Sequence, residues 1–285
     1  MIRLSIFANI AAAILMTSCG SLEKEIDLNL PEYQSQYVVE CYLEPGQPFA
    51  LLLTRSVPYF APFPDSSDLL EFAESLLVDS AQVKISHNGN EYVLSNIPFF
   101  NPLTKKAFNY FNPTLVPQDY DNSFSLEIIT PDGKNINAKT RLLPVIPIDS
   151  VVIERNEKVD TLFRVLTYLT DVPNQENYYR RMLHHNSLDS IPEQDFTTFD
   201  DFVDDGKIVF GSGYDFEEGD TVYNTIFHID RAYFDFWEST FNAVNANGNP
   251  FGQPSAIISN LQGDAGAIGI FTGLSYDRVM SIIKD

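Results

Sequence analysis

Apolar side chains recur at every second position along stretch after stretch of this chain, and that period admits few architectures. In Gln36–Leu43, residues Tyr37, Val39, Cys41 and Leu43 share one face of an extended strand. Pro45-Gly46-Gln47-Pro48 turns the chain, and Phe49–Val57 reads as a buried strand. Two hairpins follow. Ala81, Val83 and Ile85 oppose Gln82, Lys84 and Ser86; His87-Asn88-Gly89-Asn90 reverses direction, and Tyr92 and Leu94 return. Asn-Gly supplies the positive φ angles a tight hairpin turn needs. The second hairpin places Phe124, Leu126 and Ile128 on one face, turns at Pro131-Asp132-Gly133 and returns through Ile136 and Ala138. A period of two gives each strand one face to bury against another layer, so the expected fold is mainly β, built of sandwich-like sheets.

Punctuation divides the chain. Residues 58–67 hold three prolines and read as a loop, Asp68–Leu77 has helical spacing, and the Pro-, Asn- and aromatic-rich residues 96–122 read as a long loop. Pro144 and Pro147 cannot donate to a sheet ladder, so a domain boundary is expected near 147. Residues 35–147 then form an N-terminal domain of about seven strands, an immunoglobulin- or transthyretin-like sandwich. Residues 148–285 form a second β-rich domain with strands at Ser150–Arg155, Thr161–Thr170, Asn177–His185 and Thr221–Ile229. Its single helix is expected over 230–247. Asp230 caps it, Phe234, Trp237, Phe241 and Val244 share a face, and Gly248 stops it. A glycine-rich end, Ser259–Ser275, closes the chain with one or two strands.

The N-terminus reads as an address. Arg3 precedes an apolar run, Ile6–Met16, broken only by Asn9 and too short to span a bilayer of about 30 Å. Residues 1–18 are expected to be a cleaved export signal. Met16-Thr17-Ser18-Cys19 resembles a bacterial lipobox, with Met where Leu is usual, so Cys19 is the expected lipidation site. Residues 19–34 then form an acylated, acidic tether. Gly20 rather than Asp after the cysteine favours the outer membrane, and Glu23, Glu25 and Asp27 resemble the acidic tags that carry lipoproteins to the cell surface. A plain soluble linker, and with it the periplasmic face, stays open as a reading.

Charge excludes some partners. The chain holds 18 Lys plus Arg against 39 Asp plus Glu, and removing residues 1–18, with one Arg and no acid, takes the net charge from −21 to −22. Such a protein is repelled by nucleic acid and by anionic headgroups, leaving the N-terminal lipid to hold the membrane. With Cys19 acylated, Cys41 is alone, and its place in the apolar phase of a strand suits a small hydrophobe.

Catalytic patterns are scarce. Four histidines occur, with neither Gly-x-Ser-x-Gly nor His-Glu-x-x-His. His184 and His185 are adjacent on a strand and face opposite sides, so they read as surface groups rather than ligands of one ion. Asn186–Gly206 contains seven carboxylates and no Lys or Arg; Asp200, Asp201, Asp204 and Asp205 make a weak calcium candidate against the reading of a solvated loop. Rings in loops, Tyr59, Phe60, Phe63, Phe99, Phe100, Phe108, Tyr110 and Phe111, are costly to leave in water without a partner and form the candidate binding edge.

Four segments carry a family resemblance: Cys19–Phe60, Asp79–Leu94, the run Asn-Tyr-Tyr-Arg-Arg-Met-Leu at Asn177–Leu183, and Phe236–Ser275. In that order they resemble domain-of-unknown-function family 4249, bacterial outer-membrane lipoproteins. Asp264-Ala265-Gly266-Ala267-Ile268 interrupts what is usually a compact Gly-Gly-Leu-Gly-Ile-Phe run. The resemblance implies association with TonB-dependent transporters and hence a non-enzymatic accessory or binding role. It carries no catalytic residues and implies no cofactor. A surface-anchored hydrolase, either a carboxylate-based glycosidase or a peptidase, and a structural or adhesive envelope lipoprotein are the alternatives.

Overall fold

The alternating stretches become strands. A computed structural model describes residues 33–58, 64–65, 68–101, 106–199, 206–246 and 256–284. The first strands are β1 (Tyr37–Leu43), β2 (Pro48–Arg55), β3 (Gln82–His87), β4 (Asn90–Asn101), β5 (Lys106–Leu115), β6 (Ser123–Ile129) and β7 (Asn135–Arg141), with α1 (Leu69–Ser75) between β2 and β3. Burial alternates along β1, β3, β6 and β7 as the period requires. Asn88 and Gly89 adopt φ of 48° and 76° in the first hairpin turn, and Gly133 adopts 80° in the second. The inward residues Val39, Leu51, Ile85, Phe124, Leu126, Ile136 and their neighbours form one core. Cys41 lies within it, where burial pushes its thiol far above the usual range.

The expected loop over 96–122 is corrected: β4 runs on to Asn101, and Lys106–Leu115 pairs with it. Proline hid the strands. The β4–β5 register shifts between Asn96 and Phe99, which places Pro98 in a bulge, and the β2–β5 register shifts so that Pro113 falls between Asn112 and Leu115. A bulge leaves a residue unpaired, so each proline sits where no ladder bond is required. Beyond Leu51–Tyr110, β2 leaves β5 and takes Leu76–Val78 as its neighbour. Buried Asn109 closes the gap: its Oδ1 accepts from Leu53 N–H at 2.8 Å, and its Nδ2 donates to the Leu53 and Val78 carbonyls at 2.9 and 3.1 Å. Released from β2, the ends of β4 and β5 form a two-stranded arm.

The second half contains β8 (Ile148–Arg155), β9 (Phe163–Thr170), β10 (Tyr178–His185), β11 (Gln194–Phe199), β12 (Lys207–Gly211), β13 (Thr221–Ile229), α2 (Arg231–Ala246), β14 (Ile268–Gly273) and β15 (Ser275–Ile282). A four-stranded sheet, β11-β10-β13-β15, faces a three-stranded one, β12-β9-β8. Their inward side chains mesh in two clusters, around Leu169, Tyr179 and Phe210 and around Phe163, Leu183 and Val222. Part of the acidic stretch is therefore strand, since β11 lies inside it.

Sheet membership changes across the prolines between β7 and β8, but the chain later returns. β14 pairs in parallel with β1, Val38–Leu43 against Ile268–Gly273, and completes the first sheet in the order β14-β1-β2-β5-β4-β3-β6-β7. Ser35–Asp285 form one compact unit. β14 is buried on both faces: Phe271 enters the first core, while Ile270 packs with Tyr178, Phe227 and Tyr233 of the second half.

α2 starts as expected, with Asp230 Oδ1 accepting from Tyr233 N–H at 2.8 Å. Its expected apolar face is corrected. Phe234 and Trp237 are half-buried, but Phe241 and Val244 are 58% and 65% exposed. The helix packs on β10, β11 and β14, and the residues it buries are Tyr233 and Ser239.

Loop Pro117–Asn122 makes a pH-dependent contact. Asp119 accepts hydrogen bonds from the Asn122 side chain, from the Asp121 and Asn122 N–H groups and from Asn88, which hold its carboxyl at about 2. Because the folded value lies below the unfolded one, the contribution is complete above about pH 4 and is lost as pH falls toward 2. A carboxyl chemical-shift titration of Asp119 should show the depressed midpoint, and Asn122→Ala should raise it.

Candidate functional site

Along β4 the solvent side is apolar. Val93, Ile97 and Phe100 are 61%, 51% and 60% exposed, and a groove of about 560 Å³ runs beside Val93 between Lys84, Ser95, Asn96, Glu127 and Ile129. Lys84 bridges Glu91 and Glu127, each at 3.1 Å, so the groove floor carries a paired cation. On the arm, Phe99 stacks on Phe108 with centroids 5.2 Å apart and meets Phe111 edge-on at 5.1 Å. All three rings are half-buried.

The expected ring cluster is thus divided. Phe99, Phe100, Phe108 and Phe111 lie together on the arm. Tyr110 is corrected from binding edge to core: it is fully buried, its hydroxyl donates to the Val78 carbonyl at 2.8 Å and it accepts from Ala81 N–H. Tyr59, Phe60 and Phe63, the acids Asp200, Asp201, Asp204 and Asp205, and Cys19 lie outside the described residues.

At the far end of the arm, where it pairs with Asn101, Lys106 places its ammonium 3.6 Å from the centroid of Tyr42, on the outward side of β1. Beneath it lies an ionic cluster that joins the two halves. Arg180 makes two bonds of 2.7 Å to the carboxylate oxygens of Asp195, donates to Tyr233 Oη at 2.6 Å and lies 4.0 Å over the Trp237 ring. Tyr42 meets Tyr233 edge-on at 6.2 Å and donates to Glu40. Burial lowers the Lys106 pKa, partly offset by Glu40, Glu44 and Asp195. Burial also raises Glu44, and it pushes Tyr233 up to about 12. For Arg180, burial works against the charge, but Asp195 and Tyr233 outweigh it and leave the guanidinium more firmly protonated than usual. Bidentate pairing and ring stacking give the cluster a fixed geometry suited to holding the halves and the arm in register.

The histidines are dispersed. His184 is corrected from surface to interior: it is buried, and burial lowers its pKa. His185 faces the other way, beside Asp220 at 3.0 Å. His228 is buried against the Pro144 carbonyl, with Nδ1 at 2.8 Å, and His87 stacks on Phe124. Among the described residues no three His, Cys, Asp or Glu side chains gather as a metal site.

Periodicity alone did not single out Lys106, Arg180, Asp195 and Tyr233, and it placed Trp237 only on a helix face. One signal was present: Arg180 and Arg181 are neighbours on a strand, so one of them must face inward.

No curated protein matches the sequence. Among solved structures, a crystal structure of a mutant Salmonella alpha-2-macroglobulin is similar at 9% identity with a TM-score of 0.26, the match covering 75% of this chain and 15% of that one. The family model described as Domain of unknown function (DUF4249) matches residues 23–279, and the chain belongs to that family.

Proposed function

We propose that this protein is a lipid-anchored, non-enzymatic binding subunit on the outer membrane, surface-facing, that serves a TonB-dependent uptake system. The observation that carries the reading is the lipobox-like run Met16–Cys19 followed by an acidic tether. Each buried methylene contributes about 0.8 kcal/mol, so several acyl chains would hold even a strongly acidic protein at a membrane. The uncovered strip Val93, Ile97 and Phe100 beside the groove supports a contact with another protein, because apolar groups of that size gain from leaving water.

The test is fractionation with mass spectrometry. Native protein should sediment with outer membranes and carry acyl mass on Cys19, while Cys19→Ser should move almost entirely to the soluble fraction. A transporter should co-purify in mild detergent, and Ile97→Ser with Phe100→Ser should weaken that association without altering fractionation. Cys19→Ser protein that stays with membranes would end the anchoring reading, and loss of the transporter from every preparation would end the accessory role.

A further inference from the structure

Two arginines in succession on β10 point to opposite faces, and their surroundings differ sharply. Arg180 faces the junction and meets Asp195. Arg181 faces the interior of the second sandwich, is 0% exposed and has only neutral hydrogen-bond partners among the described residues. Its Nη1 donates to the Gly211 carbonyl at 3.0 Å and its Nη2 to Asn224 Oδ1 at 3.2 Å, an oxygen that also accepts from Thr167 Oγ1 at 2.7 Å. The Arg181 Nε and the Asn224 Nδ2 are both buried without a partner among the described residues. Burial lowers the guanidinium pKa to about 10, still high enough to keep the proton at neutral pH. A buried cation without a counter-charge is strongly disfavoured, and an arginine cannot escape by losing its proton.

A route to this charge exists. The edge between β11 and β12 is open as a groove of about 340 Å³ lined by Phe196, Thr198, Lys207, Phe210 and Gly211. Gly211 is the acceptor for Arg181, Phe196 stands opposite Arg181 in the β10–β11 ladder, and the Phe210 centroid lies 5.9 Å from the guanidinium carbon. Three groove-lining residues therefore touch or pair with Arg181, which in turn holds Asn224.

We propose that Arg181 and Asn224 form a binding site for a small carboxylate, entered through the groove between β11 and β12. One carboxylate oxygen takes the Arg181 Nε–H and the other the Asn224 amide, which supplies the missing charge and satisfies both donors. The rings of Phe196 and Phe210 suit an apolar body on the ligand. Lys207 at the mouth adds a local cation to a molecule whose net charge otherwise repels anions.

The experiment is a thermal melt of the full chain at constant ionic strength, with sodium chloride replaced stepwise by sodium formate, acetate or benzoate. Wild-type protein should show a saturable rise in Tm, of roughly 5 °C once the carboxylate reaches a hundred times its dissociation constant. Arg181→Met keeps the volume and removes the charge; it should melt at or above the wild-type temperature in chloride and ignore carboxylates. Asn224→Asp places a carboxylate beside the guanidinium from within, so it should melt higher than wild type in chloride and lose the response. A wild-type melt indifferent to all three carboxylates would overturn the proposal and leave buried water as the occupant. A response retained in Arg181→Met or in Asn224→Asp would overturn it equally.

Discussion

Replacing Gly269 with alanine is expected to leave little soluble folded protein. Gly269 sits at φ +130°, and a Cβ there would lie 1.9 Å from the Val39 carbonyl oxygen and 2.9 Å from the Val39 nitrogen. Those are backbone atoms of β1, held in the core by Val39 and Cys41, so they cannot swing aside as a flexible side chain could. The clash must part β1 from β14, which breaks the parallel ladder and exposes Ile270 and Phe271. Backbone strain at such an angle costs about 1–3 kcal/mol, and partial loss of two buried side chains adds a similar amount, so a total of roughly 2–6 kcal/mol is expected. That is a large part of the typical 5–15 kcal/mol that holds a domain together. Gly266→Ala is the control: φ is +62°, but nothing lies within 4 Å of the added carbon, so about 1 kcal/mol should be lost. Urea unfolding of the two variants reads the difference directly. Equal losses would mean that the β1–β14 contact does not close the first sheet in solution.

Asp195→Ala should carry the second largest cost. It removes both carboxylate oxygens from Arg180 and leaves a guanidinium that is only 12% exposed against Trp237 and Tyr233. Breaking one side of a buried pair typically costs about 3–5 kcal/mol. Asp195 is itself 25% exposed, so water recovers part of that, and roughly 2–3 kcal/mol is expected. Arg180→Met with Asp195→Leu should regain most of the loss, because apolar side chains replace the pair without an orphaned charge. Midpoints of urea unfolding for Arg180→Met, Asp195→Leu and their combination give the coupling. A cost below about 1 kcal/mol for Asp195→Ala would mean that solvent already screens the pair.

These two sites show how far local pattern reaches. The turn at Asn88-Gly89, the buried phases of β1, β3, β6 and β7, and the cap at Asp230 were legible because each depends on residues a few positions apart. The end of β4 and all of β5 have the composition of a loop because two prolines and a run of rings obscure their alternation, and only the bulges explain how prolines fit there. The helix face ending in Phe241 and Val244 had the right spacing, yet spacing says which side chains share a face and nothing about how far the supporting sheet extends beneath it. Tyr110 looked like a loop ring and became a core residue because α1 and the strand-like Leu76–Val78 delivered a carbonyl to its hydroxyl.

The chain by itself determined strands, turns and a strongly acidic net charge, since period, turn chemistry and charge are local or additive properties. Only the tertiary structure decided that β14 returns to β1, that Lys106 comes to Tyr42 and Arg180 to Asp195 at the junction, and that Arg181 is enclosed without a carboxylate partner among the described residues. Those outcomes depend on which faces meet across long stretches of chain. A period of two specifies that a face is buried, while its partner is selected by the packing of the whole.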